Sequence, residues 1–196
     1  NMQVFTSRNA PSRYLLLTER EAILHEFTGC AHLADGLEKI TEVRPARTAS
    51  FVAAGPAIAA RERAWAAEMA ATLRDLVGPG ETIGTERMNA GAAIALAEQG
   101  FRLVDAQEPV EMARAVKSDE EMKCVRASLA ATERGVARLA AAIRPGLTEA
   151  ELWSVLHQAV IAQDGDYIET RLLNSGPRTN PWFQETGQRV IRENEL

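Results

Sequence analysis

The chain has 196 residues, 46% of them hydrophobic, 25% charged and only 5% aromatic, with a net charge of −5 at neutral pH. That length suffices for one large domain or two small ones, and the acidic balance excludes a general attraction to nucleic acid or to anionic membrane surfaces. No apolar stretch is long enough to span a bilayer, and two cysteines, Cys30 and Cys124, are too few for a disulfide framework. The expectation is a cytoplasmic protein with reduced thiols, no nucleic-acid partner and no membrane partner.

Two short apolar runs, 14–17 and 22–27, flank the polar Thr18-Glu19-Arg20-Glu21 and predict a β-hairpin. Segments 39–43 and 49–53 suit further strands. From 56 to 77 the period becomes helical, with Ile58, Trp65, Met69, Leu73 and Leu76 at three- and four-residue steps. Gly78-Pro79-Gly80 stops that helix. A strand at 82–84, a helix at 89–99, a stop at Gly100 and a strand at 101–104 follow. This mixture predicts a small α/β domain with a mixed sheet over 1–112. A short connecting helix at 108–117 leads to the domain boundary.

The second domain is expected over 117–196. Ser118-Asp119-Glu120-Glu121 has the S-x-x-E form of a capping box. Its acidic run is read as helix capping rather than a cation site. Behind it Met122, Val125, Leu129, Val136, Leu139 and Ile143 form an apolar stripe that ends at Pro145-Gly146. Thr148-Glu149-Ala150-Glu151 is a second capping box, and Leu147 with Leu152 has the spacing of a hydrophobic staple. That helix runs to about Gln163, and a strand is expected over 167–173. Two long helices followed by strands, without a G-x-G-x-x-G turn, argue for α+β rather than a dinucleotide-binding unit.

Few residues carry chemistry. Cys30-x-His32 is half of a metal site with no second half nearby, and His25 and His157 have no carboxylate or thiol at ligand spacing. Gly78-Pro79-Gly80 with Gly84 lacks the Lys-Ser/Thr of a phosphate loop. The loop bearing Arg178, Asn180 and Trp182 is different. It lies between expected strands and is stiffened by Pro177 and Pro181, and an aromatic with two hydrogen-bonding side chains on a rigid loop suits substrate binding. A packed loop with a buried Trp anchor is the competing reading.

Three stretches carry a family likeness: 116–121 (Val-Lys-Ser-Asp-Glu-Glu) with Arg126, 143–152 (Ile-Arg-Pro-Gly-Leu-Thr-Glu-Ala-Glu-Leu), and the turn Ser175-Gly176. They resemble the start of the catalytic domain in the creatinase / aminopeptidase P / prolidase superfamily, the pita-bread metalloenzymes. Residues 1–112 resemble part of the smaller N-terminal domain that precedes it. The resemblance implies a homodimer and a centre of two divalent metals held by five carboxylate and His ligands that activate a water. It places the first ligand a few residues past Glu195-Leu196, so no metal ligand and no catalytic residue is expected in this chain. Family peptidases carry a Pro-His step after the Ser-Gly turn, whereas here Pro181 is followed by Trp182 and Phe183. That string is similar to a divergent branch that includes the metal-dependent dimethylsulfoniopropionate lyases, which break a C–S bond to give dimethyl sulfide and acrylate. Three functions follow as expectations: the front part of an Xaa-Pro aminopeptidase-like metallohydrolase acting on short peptides, of a lyase acting on a small sulfonium, or a non-catalytic binding or dimerisation module.

Overall fold

The computed structural model describes residues 13–165 and 168–195. It divides into two compact units, one running to Ala115 and the other beginning at Val116.

In the first unit, β1 (Tyr14–Leu17) and β2 (Ala22–Glu26) form the expected hairpin, with Tyr14 opposite His25 and Leu17 opposite Ala22. The Thr18 hydroxyl accepts from the Glu21 backbone N–H at 3.0 Å and closes the turn. β3 (Glu42–Pro45) lies parallel to β2, so the order is β1-β2-β3 and the sheet is mixed. β2 is the central strand, and its burial shows it: Ile23, Leu24, His25 and Glu26 are all at most 4% exposed.

The strand expected over 49–53 is not formed. Ser50 instead caps the short helix α1 (Phe51–Ala54), its side chain accepting from the Ala53 N–H. Apolar residues without strand alternation formed a helical turn once a capping Ser preceded them. A 3-10 turn (Gly55–Ala57) carrying Pro56 feeds directly into α2 (Ile58–Val77).

The core sits on α2. Trp65, Ala66, Met69, Ala70 and Leu73 are buried on one face, against Ala92, Ala95 and Leu96 of α3 (Ala90–Ala97) and against Phe101. Four alanines in this core let α2 and α3 approach closely, and Trp65 supplies the bulk. Gly78 ends α2 at φ +97°, which a side chain would disfavour. A second, two-stranded parallel sheet pairs β4 (Thr82–Thr85) with β5 (Arg102–Asp105), and α4 (Gln107–Ala115) follows.

The second unit opens with α5 (Asp119–Ala142) and α6 (Glu149–Ile161), and both capping boxes are complete. The helices meet at Gly135, where an added Cβ would lie 3.1 Å from Leu156 Cδ1 and from Val160 Cγ2. The apolar stripe of α5 is only partly used. Val125, Leu129, Val136 and Ile143 remain 47–56% exposed, because α6 covers α5 along the narrow line of Gly135. The strand expected over 167–173 is absent across 168–173, and Tyr167 lies outside the described residues. That stretch finds no continuous ladder partner; it is tied to Thr186, whose N–H donates to Arg171 O at 2.9 Å and whose hydroxyl accepts from the Leu173 N–H at 3.0 Å.

Three substitutions test this packing. Trp65→Ala should cost about 3–5 kcal/mol, read as a fall in the denaturant midpoint. Gly135→Leu should force the α5–α6 crossing apart at a cost of about 1–3 kcal/mol, whereas Gly135→Ala should stay near wild type because only side-chain ends must give way.

Candidate functional site

The strongest convergence of polar groups in the second unit lies at the start of α6. Glu149 is the first residue of that helix and is 0% exposed. One carboxylate oxygen accepts from the Ser175 N–H at 2.9 Å and from the Ser175 hydroxyl at 3.0 Å. The other accepts from the Gly187 N–H at 3.0 Å and lies 3.5 Å from the Arg178 guanidinium. A single buried side chain therefore holds both ends of segment 175–187. Burial pushes the Glu149 carboxyl up, but the Gly187 N–H, the Ser175 hydroxyl and N–H and the nearby Arg178 charge outweigh it and hold it below its ordinary value.

The surrounding chain reinforces this grip. Glu149 N–H donates to Arg189 O and Ala150 N–H to Gly187 O, both at 3.0 Å, so helix-start donors without intrahelical partners are spent on the returning strand-like segment. Thr148 and Val190 form an antiparallel bridge, and Ile191 N–H donates to Leu147 O at 2.8 Å. The Ser175 hydroxyl also accepts from Arg189 at 2.7 Å, and Arg189 pairs with Glu195 at 2.5 Å. Glu195 accepts in turn from the Arg192 N–H at 3.0 Å. The Arg189 guanidinium, ahead of smaller contributions, holds the Glu195 carboxyl below its ordinary value.

Two glycines lie where the loop meets its clamps. Gly176 sits at φ +52°, and a Cβ there would come within 2.7 Å of both Arg189 and Glu195. A Cβ on Gly187 would lie 2.5 Å from the Arg178 guanidinium. The Ser-Gly turn thus has a physical basis: the serine feeds Glu149 and the glycine makes room for the Arg189–Glu195 pair.

The loop residues singled out in the sequence divide between two places. Arg178, in the 3-10 turn Gly176–Thr179, faces inward to Glu149 and donates to the Glu185 carbonyl. Asn180 is exposed and precedes a cis peptide to Pro181. Trp182 is 77% exposed and meets the Phe183 ring edge-to-face at 5.0 Å, and Phe183 holds φ +66°. A bulky side chain in the left-handed region persists only where its surroundings impose it. Trp182 is therefore not a buried packing anchor within this chain. Neither flank of the loop is a strand among the described residues, unlike the expectation, because 168–173 and 187–191 are held by isolated contacts rather than a ladder.

Glu149, Gly187, Arg189 and Glu195 were not legible as site residues. The available signal was a surplus carboxylate: Glu151 alone completes the Thr148 cap, leaving Glu149 without a local task. Among the described residues no three His, Cys, Asp or Glu side chains converge to hold a metal. The described residues do not supply a two-metal centre. His25 stacks on Tyr14 at 4.6 Å, and burial, ahead of the nearby Arg44 charge, lowers its pKa to about 4. His157 meets Trp153 edge-to-face. Cys30 and Cys124 are free.

No family model matches the chain. Over its whole length it is 30% identical to a dimethylsulfoniopropionate lyase of Roseobacter denitrificans and 29% identical to one of Roseovarius nubinhibens. It spans 45% of each, so it is about half the length of the curated relatives it matches. Among solved structures, the Xaa-Pro dipeptidase from Bacillus anthracis superposes with a TM-score of 0.72 at 17% identity, over 99% of this chain and 50% of that one. The X-Pro aminopeptidase from Thermotoga maritima gives 0.71 at 16%, over 93% and 47%. The likeness is to the creatinase / aminopeptidase P / prolidase superfamily, with the sequence similarity running to its lyase branch. The fold is α+β, an α/β unit followed by the opening part of a pita-bread domain.

The ionised Glu149 predicts a pH response with a definite sign. Its native pKa lies below the ordinary 4.5, so its contribution is complete above that value and is lost as pH falls through the lower native pKa. Acidification below pH 4.5 should expose 175–187 to an acid-active protease before the helical core of the first unit opens. Cleavage confined to other segments would contradict this.

Proposed function

We propose that this chain is the front part of a metal-dependent pita-bread enzyme that cleaves the C–S bond of a sulfonium propionate, giving dimethyl sulfide and acrylate. The observation that carries the reading is the 30% identity to a dimethylsulfoniopropionate lyase across the whole chain. The structural neighbours named for peptidase activity share only 16–17% identity, which is a likeness of fold. The missing Pro-His step points the same way. Trp182 occupies the place after Pro181, and an indole N–H donates a hydrogen bond but cannot serve as a general acid or base. Its face attracts a cation such as a sulfonium.

In this reading Trp182 lines the substrate mouth with Asn180 beside it, and Arg178 serves the same mouth from inside by fixing the loop to Glu149. Two divalent metals would supply an activated water or base, held by residues outside the set described here. A homodimer and a cytoplasmic location belong to the same proposal. Hydrolysis of Xaa-Pro bonds is the second reading, favoured by the fold neighbours. A non-catalytic binding or dimerisation module is the third.

Headspace chromatography of the full-length protein with dimethylsulfoniopropionate, beside an assay with Xaa-Pro dipeptides, separates these readings. Dimethyl sulfide release with peptides left intact is expected; peptide hydrolysis alone would support the second reading and inactivity in both the third. Trp182→Ala should lower kcat/KM by about tenfold or more, with Trp182→Phe retaining an intermediate value. A wild-type rate for Trp182→Ala would remove Trp182 from the mouth.

A further inference from the structure

We infer that Glu149 is the positioning residue of the substrate mouth: its buried carboxylate latches both ends of segment 175–187 and so fixes where Trp182 and Asn180 stand. The inference rests on the proposed placement of Trp182 at that mouth.

Three observations carry it. First, the bonding is divided between the two ends of the loop. One oxygen takes the Ser175 N–H and hydroxyl, the other takes the Gly187 N–H and faces Arg178. A carboxylate satisfied only for stability has no need to join positions at opposite ends of an excursion. Second, the loop between the clamps lacks a core of its own. Trp182 and Phe183 are 77% and 65% exposed, and the internal ties of 180–184 reduce to the Gln184 amide donating to Pro181 O at 2.8 Å and the contact between the two rings. The conformation of the exposed aromatic pair, including Phe183 in the left-handed region, is therefore imposed from the ends. Third, charged side chains lie close against both clamps. Gly176 and Gly187 stand where any Cβ would strike Arg189 with Glu195, or Arg178.

The chemistry requires a carboxylate. Every group facing Glu149 is a donor: two backbone N–H groups, a hydroxyl that also accepts from Arg189, and a guanidinium. An amide of the same shape would turn an NH2 toward one end and meet an N–H there. It would release that end while leaving the volume of the site filled. Glu149 touches no reacting atom in this arrangement. It acts through Trp182.

The test uses Glu149→Gln in the full-length enzyme, with two readouts. Steady-state kinetics with dimethylsulfoniopropionate should show KM raised about tenfold or more with kcat changed much less, the mark of lost uniform binding. A purely structural defect lowers the active fraction, and hence kcat, without moving KM. Hydrogen exchange should show protection lost in 175–187 while α2 and α5 exchange as in wild type. A wild-type KM together with unchanged protection of 175–187 overturns the inference. If Glu149→Gln fails to fold, Ser175→Ala decides. It removes the hydroxyl bond to Glu149, with the one accepted from Arg189, and keeps the backbone bond, so a smaller rise in KM and a local loss of protection are expected, and no change in either overturns the inference. If the wild-type protein shows no lyase activity, the function reading falls, and hydrogen exchange still decides whether Glu149 latches the loop.

Discussion

A carboxylate without solvent contact must be given donors for both oxygens, or its burial costs more than a small domain can recover. Glu149 meets that constraint by drawing in Ser175, Gly187 and Arg178, and the second unit beyond α6 is organised by the result. A chain with little regular structure over 168–195 acquires a defined path because its ends are pinned to the start of a helix. The Arg189–Glu195 pair extends the same network to the edge of the described residues. The capping box contributes separately. It fixes the start of α6, and with it the point from which Glu149 projects.

The first unit is held by a different principle. Its centre is an apolar contact between α2 and α3, with alanines allowing close approach and Trp65 filling the remaining volume. The sheet is joined to this core by side chains. Tyr14 lies edge-to-face with Trp65 at 6.1 Å and accepts from the Arg47 N–H at 3.3 Å, and Arg44 reaches from β3 to the Thr72 hydroxyl at 3.0 Å. Two buried polar residues on β2 have specific neighbours: Glu26 pairs with Arg13 at 2.7 Å, and His25 stacks on Tyr14 while its Nδ1 is buried without a hydrogen-bond partner. Neutral His25 suits that stack, since burial disfavours its charged form.

The two kinds of comparison speak to different links of the argument. A TM-score near 0.7 at 16–17% identity describes a shared chain path. It leaves the chemistry open, because one fold hosts many reactions. Identity of 30% over the full chain is a statement about side chains, and it favours the lyase reading over the peptidase one. In the proposed reading Trp182 is the residue-level counterpart, an aromatic face on an exposed loop.

Local patterns in the sequence determined the hairpin, α2 with its buried Trp65, Met69 and Leu73, the glycine stops at Gly78 and Gly100, and both capping boxes. Each rests on residues within a turn or two of one another, so the physics is contained in a short window. The motifs around Ser118, Thr148 and Ser175 also carried the family likeness. What failed was non-local. In place of a strand over 49–53, Ser50 capped the helix Phe51–Ala54, and 168–173 did not become a strand because a strand needs a ladder partner. The half-exposed stripe on α5 could not be foreseen either, since amphipathic spacing shows that a face exists and not how much of it a neighbour covers. The assembly around Glu149 joins residues 26 to 46 positions apart, and only folding brings Ser175, Gly187 and Glu195 to the start of α6. Sequence supplied the helix start and its surplus carboxylate; tertiary structure alone decided what that carboxylate would hold, because two of its donors are backbone N–H groups that carry no signature of their own, and the Ser175 hydroxyl and Arg178 guanidinium reach it only through the fold.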